Sequence, residues 1–149
     1  MTRKEFAGRI ALIDPEAPDS IEKLASLFEE DYLTEGRDLN DTDLIKDLRE
    51  SAEADLRYFM EKYDILLQKI NRELRKAGAT EAQINWGLFE NIELPTFSYM
   101  RCNRWANQLI RYSYQIQYCL AELKMLGKYT EIDEEELKAI RRDYCRRYG

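Results

Sequence analysis

The sequence predicts an all-α protein: a helical bundle of about six helices, built on two long antiparallel helices over residues 42–77 and 95–126. Three observations predict this fold class. Apolar residues recur every three or four positions in both long segments, no segment alternates apolar and polar residues as a strand would, and cap signals stand at the expected helix ends. The connections are about three to eight residues long, so residues 1–149 are predicted to form a single all-helical domain.

The segment from Leu94 to Gly127 is the centre of this prediction. Its apolar seam, in which steps of three and four residues alternate, consists of Cys102, Trp105, Leu109, Tyr112, Ile116, Cys119, Leu123 and Leu126. Such a row lies on one face of a helix and has to pack against another helix. Pro95 suits the first turn, and Gly127 suits the end of the helix. The predicted helix is about 48 Å long.

The other long helix carries a matching apolar stripe. Its members are Leu44, Leu48, Ala52, Leu56, Phe59, Tyr63, Leu66, Ile70, Leu74 and Ala77. Acidic residues crowd its first half and basic residues its last turns, as the helix dipole favours. Gly78 is expected to end it. Its length of about 54 Å matches that of the other long helix, so we expect the two to form the spine of the bundle.

Four shorter helices complete the predicted bundle. Each begins at a capping-box pattern, in which Thr or Asp precedes Glu or Gln by three residues. The capping residues are Thr2, Asp19, Thr80 and Asp133. The helices are expected over about residues 2–13, 19–33, 80–92 and 133–148, which gives six helices in all.

The residue inventory excludes several classes of site. The chain has no histidine, which rules out Ser-His-Asp and Cys-His catalysis and the histidine-containing zinc and di-metal sites. It has three cysteines without CxxC spacing, as is typical of a reducing compartment. No apolar run reaches the roughly 18 residues of a membrane span, and the N-terminus lacks the apolar core of a secretory signal. We therefore expect a cytoplasmic protein that does not enter a membrane.

The long helix at 95–126 carries the strongest functional signal. Residues 94–121 include no acidic residue but contain Arg101, Arg104 and Arg111, and Gln108 extends this arginine row on the same face. In one interpretation the row forms ion pairs within the bundle, with Arg101 near Glu73 and Arg111 near Glu61 and Asp64. In the other, the row binds an anionic partner, with Tyr114 and Tyr118 as aromatic anchors, because Arg and Tyr are enriched at protein interfaces.

The leading functional prediction is a non-enzymatic helical protein that acts through protein–protein contact. Such a protein could be an adaptor, an inhibitor of another protein or a subunit of an assembly, and its partner is another protein or a second copy of itself. The predicted contact residues are Arg101, Arg104, Gln108, Arg111, Tyr114 and Tyr118. The prediction includes no catalytic residue, no metal site and no cofactor.

Two alternative functions remain from the sequence. The first is an accessory nucleic-acid-binding protein whose phosphate contacts are Arg141, Arg142, Arg146 and Arg147. The net charge of −6 and the pI near 4.9 argue against it. The second is a metal-dependent all-α nucleotide hydrolase, in which acidic pairs three residues apart hold magnesium. The pairs Glu50/Glu53 and Glu61/Asp64 have that spacing, but they lie on one continuous helix and cannot converge as such a site requires.

Overall fold

The computed structural model describes residues 2–29, 43–86 and 92–127. These ranges contain five helices and no strand. The helices are α1 (Arg3–Ala11), α2 (Ser20–Glu29), α3 (Asp43–Lys76), α4 (Glu81–Trp86) and α5 (Thr96–Leu126). The predicted all-helical class and the two long helices, now α3 and α5, are therefore confirmed. The predicted helix over 133–148 and the predicted ends near Leu33 and Ile92 fall wholly or partly outside the described residues.

Local signals in the sequence explain where several helices begin and end. The Thr2 hydroxyl accepts a hydrogen bond of 3.1 Å from the Glu5 amide and so caps α1. Thr80 and Gln83 form a reciprocal capping box before α4, with backbone-to-side-chain hydrogen bonds of 2.8 and 3.2 Å. Gly78 has a φ of +92°, a left-handed conformation that only glycine adopts without strain, and it ends α3 as predicted.

Two compact units are present in the chain. The first comprises residues 1–60 and 114–149, and the second comprises residues 61–113. Both long helices contribute to each unit. The single domain predicted for residues 1–149 stays a prediction.

The first unit has a well-packed apolar core. Side chains from α1, α2, α3 and α5 meet in it, namely Phe6, Leu24, Leu27, Phe28, Ile45, Tyr118 and Leu126. The rings of Phe6 and Phe28 are 5.5 Å apart and nearly perpendicular, an edge-to-face contact that aromatic pairs favour. The predicted stripes of both long helices supply further buried residues here, including Leu56, Ile116 and Leu123.

The second unit has far fewer buried side chains. Among its described residues only Leu74 and Cys102 are buried, with 5% and 8% of their surface exposed. The two long helices contact each other here through polar groups as well, and Lys69 Nζ lies 5.9 Å from the centre of the Trp105 ring. A pair of helices that covers only one side of each helix leaves its outer faces exposed to solvent.

Candidate protein-binding surface

The arginine row predicted on α5 lies on the surface of the second unit. Arg101, Arg104 and Arg111 are exposed, whereas Gln108 is half-buried. Because residues 94–121 include no acidic residue, no neighbour within this stretch of the helix can neutralise the guanidinium groups. Their partners have to come from another helix or from another molecule.

Arg101 has the intramolecular partner that the sequence predicts. Its guanidinium lies 3.5 Å from a carboxylate oxygen of Glu73 on α3. The same oxygen accepts a hydrogen bond of 3.0 Å from the Ser98 hydroxyl, and Lys76 Nζ lies 3.8 Å from the other oxygen. The Glu73 side chain is only 12% exposed, and it places a negative charge beside the first turn of α5, where the helix dipole favours one. Arg101 therefore helps to hold α3 and α5 together.

Replacing Glu73 with glutamine should lower the free energy of unfolding by about 1–2 kcal/mol, because the variant loses two ion pairs and a charge-assisted hydrogen bond in a shielded position. Glu81→Gln is the matched control, since Glu81 pairs with Arg75 at 2.7 Å but its side chain is 66% exposed. The control should show little change in urea unfolding, because solvent screens exposed pairs. Equal losses in the two variants would contradict the role given to Glu73.

Arg104 differs from the other two arginines of the row. No carboxylate of the described residues forms an ion pair with it, and its side chain is exposed. Arg111 does have an interaction partner, and its predicted pairing with Glu61 and Asp64 stays a prediction. Arg104 is thus the member of the row that is best placed to bind an external anionic group.

The two tyrosines predicted as anchors have different environments. Tyr114 is 47% exposed, whereas Tyr118 is only 6% exposed. Tyr118 belongs to the core of the first unit, where it packs with residues of α1, α2 and α3. The prediction that Tyr118 is a contact residue for a partner is therefore corrected, because the chain's own helices cover its ring.

A row of exposed residues follows the outer face of α5 in the second unit. We call it the outer row, and it consists of Phe97, Met100, Arg104, Asn107 and Arg111. The steps are three, four, three and four residues, so these side chains lie on one face of the helix. At 100° per residue the centre of this face lies about 130° around the helix from the centre of the buried seam. Phe97 is 79% exposed and Met100 is 56% exposed, so the N-terminal end of the row presents two neighbouring large apolar side chains to solvent.

From Tyr118 onwards the same helix face is covered in the first unit. The spacing of the outer row continues through Tyr114, Tyr118, Ala121 and Met125. Tyr118 lies in the apolar core, and Met125 packs against it. This face of α5 is therefore suited to packing against helices, and its N-terminal part is the part that lies exposed.

Glu122 is a buried acidic residue whose burial no local sequence pattern indicates. Its side chain lies in the first unit and is 8% exposed. No described residue forms a hydrogen bond or an ion pair with its carboxyl group. Burial, with a smaller contribution from the Asp55 carboxylate, raises the pKa of Glu122 to about 7. It lies one helical turn after Tyr118, another buried residue of α5 in the first unit.

The described residues offer little reactive chemistry. Burial raises the pKa of the Cys119 thiol to about 12 and also raises that of Cys102, so both thiols stay protonated and are weak nucleophiles. Of the acidic pairs considered for magnesium, Glu53 forms an ion pair with Arg49 at 3.0 Å, and Asp64 accepts a hydrogen bond from Gln68. Within the described ranges no three acidic or cysteine side chains form a group that could hold a metal ion.

Some predicted features fall outside the residues that the structure describes. These are the four arginines proposed for nucleic-acid contact, Arg141, Arg142, Arg146 and Arg147. In the described ranges, no helix combines the length and the apolar character needed to cross a bilayer.

Comparison of the chain with protein-family models, with curated proteins and with solved structures finds no match.

Proposed function

We propose that this protein is a non-enzymatic helical protein that acts by binding another protein, as an adaptor, an inhibitor or a subunit of an assembly. The contact surface is the outer row of α5 in the second unit, and Tyr114, which is exposed in the first unit, stays a predicted contact residue. The observation that carries the proposal is that this row combines large exposed apolar side chains with Arg104, which has no carboxylate partner among the described residues.

The small core of the second unit supports the same proposal. Only two of its described side chains are buried, and the acid-free stretch 94–121 carries fewer charges than a helix face that stays in water usually has. Amide and phenol side chains tolerate burial in an interface when their hydrogen bonds are satisfied. Asn107 and Tyr114 are therefore compatible with a covered state.

The proposed surface lies on an antiparallel pair of helices. In the second unit Glu73 of α3 contacts Ser98 and Arg101, and Lys69 lies over Trp105. The position on α3 falls as the position on α5 rises, and this order supports an antiparallel arrangement. Such a pair, with one face of α5 left open, accepts a further helix as a bundle does.

Charge reversal at Arg104 tests the proposed function. Arg104→Glu should reduce the amount of protein partner that co-purifies with the chain from its native cells about tenfold or more, because it places a like charge against an anionic site. Lys124→Glu is the matched control: it makes the same charge change at an exposed position of α5 on another face, and co-purification should be unchanged.

Circular dichroism and thermal unfolding of both variants complete this test. Both should keep the helical content and melting temperature of the parent, since substitutions of exposed residues usually change stability little. Unchanged co-purification with Arg104→Glu would contradict the proposal. Unfolding of that variant would show that Arg104 is structural and would contradict it as well.

A further inference from the structure

We infer that two copies of this chain associate through α3, because an acidic row near the start of this helix in one copy matches a basic row near its end in the other. The acidic row consists of Asp43, Asp47 and Glu50, and the basic row consists of Lys69, Arg72 and Lys76. The acidic row belongs to the first unit and the basic row to the second. The inference goes beyond the proposed function, since it uses α3 and not the outer row of α5.

The acidic row is a set of exposed carboxylates on one face of the helix. Its steps of four and three residues place Asp43, Asp47 and Glu50 within about 60° of one another. All three are exposed, and no described residue forms an ion pair with any of them. Lys46 is an exposed cation in the same stretch, but it lies on the flank of the row, about 65° from its centre. The carboxylates of the row are therefore open to cations of another molecule.

The basic row has the same geometry and the opposite charge. Its three side chains are exposed and also lie within about 60° of one another. No described carboxylate pairs with Arg72. Lys76 Nζ lies 3.8 Å from a Glu73 carboxylate oxygen, but the Lys76 side chain is 67% exposed, so solvent screens this pair. Lys69 lies over the Trp105 ring, which leaves its charge unneutralised. The row therefore keeps an excess of positive charge.

The helix dipole explains only part of this distribution of charge. It favours acids in the first turn and bases in the last turn, and its effect falls off within those turns. Asp43 and Lys76 are the end residues of α3, whereas Glu50 and Lys69 lie about two turns further in. A contact along the whole of each row gives all of these charges a partner.

The spacings of the two rows match in an antiparallel arrangement. From the N-terminus the steps are four and three residues in the acidic row, and three and four in the basic row. Antiparallel helices therefore set three opposite charges at the same level, whereas parallel helices set the middle pair out of level by one residue. Complementary charges of this kind fix the register and the direction of a contact. The pairs are Asp43 with Lys76, Asp47 with Arg72, and Glu50 with Lys69.

The next position of each row adds an apolar contact. The acidic row continues after Glu50 to Ala54, and the basic row continues from Lys69 back to Ile65. Ala54 is exposed and Ile65 is 42% exposed. The same antiparallel register sets these two residues opposite each other, and a small side chain opposite a large one lets two helices interdigitate.

A second copy of the chain is the occupant that these rows favour. Both rows belong to one continuous helix, Asp43–Lys76, and two segments of a single helix cannot lie side by side. The rows of one chain therefore cannot pair with each other. Every other copy carries a row of the matching charge and spacing, so each row finds its complement in a second copy.

Charge reversal at the middle pair tests the inference, with sedimentation equilibrium of the purified chain as the measurement. The parent should self-associate as its concentration rises, and more weakly in high salt. Asp47→Arg and Arg72→Glu should each raise the dissociation constant about tenfold or more, since each sets like charges opposite each other. The variant with both changes should associate again, because it rebuilds the pair with the charges exchanged. Lys124→Glu is the matched control, at an exposed position of α5 outside both rows, and should leave association unchanged.

Carbodiimide crosslinking of the unaltered chain gives a second measurement, which does not depend on the folding of any variant. The reagent joins a carboxylate directly to an amine. In a mixture of isotope-labelled and unlabelled chains, mass spectrometry distinguishes links between copies from links within one copy. We expect mixed-label products that join Glu50 to Lys69 and Asp43 to Lys76.

Several results would overturn the inference. A chain that stays monomeric at every concentration would do so, and so would links between copies at other positions only. Association that both single variants leave unchanged, or that the double variant does not restore, would also contradict the pairing of the two rows. The outer row of α5 takes no part in these experiments, so their failure leaves the proposed function to its own test with Arg104→Glu.

Discussion

Replacing Tyr118 with alanine should lower the free energy of unfolding by about 3–5 kcal/mol, as truncation of a buried aromatic side chain usually does. The ring is 6% exposed and belongs to the core that joins α1, α2, α3 and α5 in the first unit. Its loss leaves a cavity among Phe6, Phe28 and Leu24, which pack tightly and can relax only in part. Urea unfolding followed by circular dichroism measures the change.

Tyr114→Ala is the matched control for this experiment, since the two tyrosines are one turn apart on the same helix. Tyr114 is 47% exposed, so its truncation should lower the stability by about 1 kcal/mol or less. The same variant should weaken co-purification of a protein partner, because exposed tyrosines at an interface often contribute strongly to binding. Equal destabilisation by the two substitutions would contradict the different environments described for them.

Replacing Glu122 with glutamine should stabilise the protein by about 3 kcal/mol at pH 8 and change little below pH 4. The pKa of this carboxyl rises from 4.5 in the unfolded chain to about 7 in the folded one, and this difference corresponds to about 3 kcal/mol. Because the folded-state pKa is the higher one, the folded protein binds more protons between these values. The stability contributed by protonated Glu122 is therefore complete below about pH 4.5 and is lost as the pH rises through about 7.

The free energy of unfolding is measured for the parent and for Glu122→Gln from pH 4 to pH 8. The difference between the two proteins at each pH isolates the titration of Glu122 from that of all other groups. Asp55→Asn gives a second check. Since the Asp55 carboxylate contributes to the raised pKa of Glu122, its removal should move the pH-dependent loss to lower pH. A difference between parent and Glu122→Gln that does not change with pH would show that Glu122 titrates normally.

Much of the fold could be predicted from local patterns in the sequence. Helices are capped at Thr2 and Thr80, and α3 is terminated at Gly78. Each of these residues acts through neighbours at most five residues away, so a short stretch of sequence contains all the information needed to predict the helix end. The apolar seam of α5 was predicted correctly for the same reason, since its periodicity is a property of a single helix. Ile45 and Met60, which are buried beside the predicted stripe of α3, were missed because a strict spacing of three and four excludes its flanking residues.

The difference between Tyr114 and Tyr118 could not be predicted in this way. Both lie outside the seam, four residues apart, and only the packing of α1 and α2 decides which one is covered. Glu122 was missed for a related reason, because a charged residue is ordinarily expected on the surface and nothing in the local sequence indicates burial.

The candidate site was predicted in part. The predicted antiparallel arrangement of the two long helices places Arg101 near Glu73, and the structure confirms this one contact. The lack of a described partner at Arg104 depends on which side chains of other helices reach it, and this information is not contained in the spacing of the arginines. The exposure of Phe97 and Met100 likewise depends on which other helices reach them. The spacing of the residues therefore does not predict it.

We propose that another protein covers the outer row in the functional state. The most direct test is the rate at which a thiol at the centre of the outer row is alkylated. In an Asn107→Cys variant, mass spectrometry follows alkylation at position 107 in the purified chain and in unfractionated extract of the native cells, with Gln68→Cys as the control. We predict that alkylation at position 107 is severalfold slower in the extract, while alkylation at position 68 proceeds at the same rate in both. Equal rates at position 107 in the purified chain and in the extract would contradict the claim.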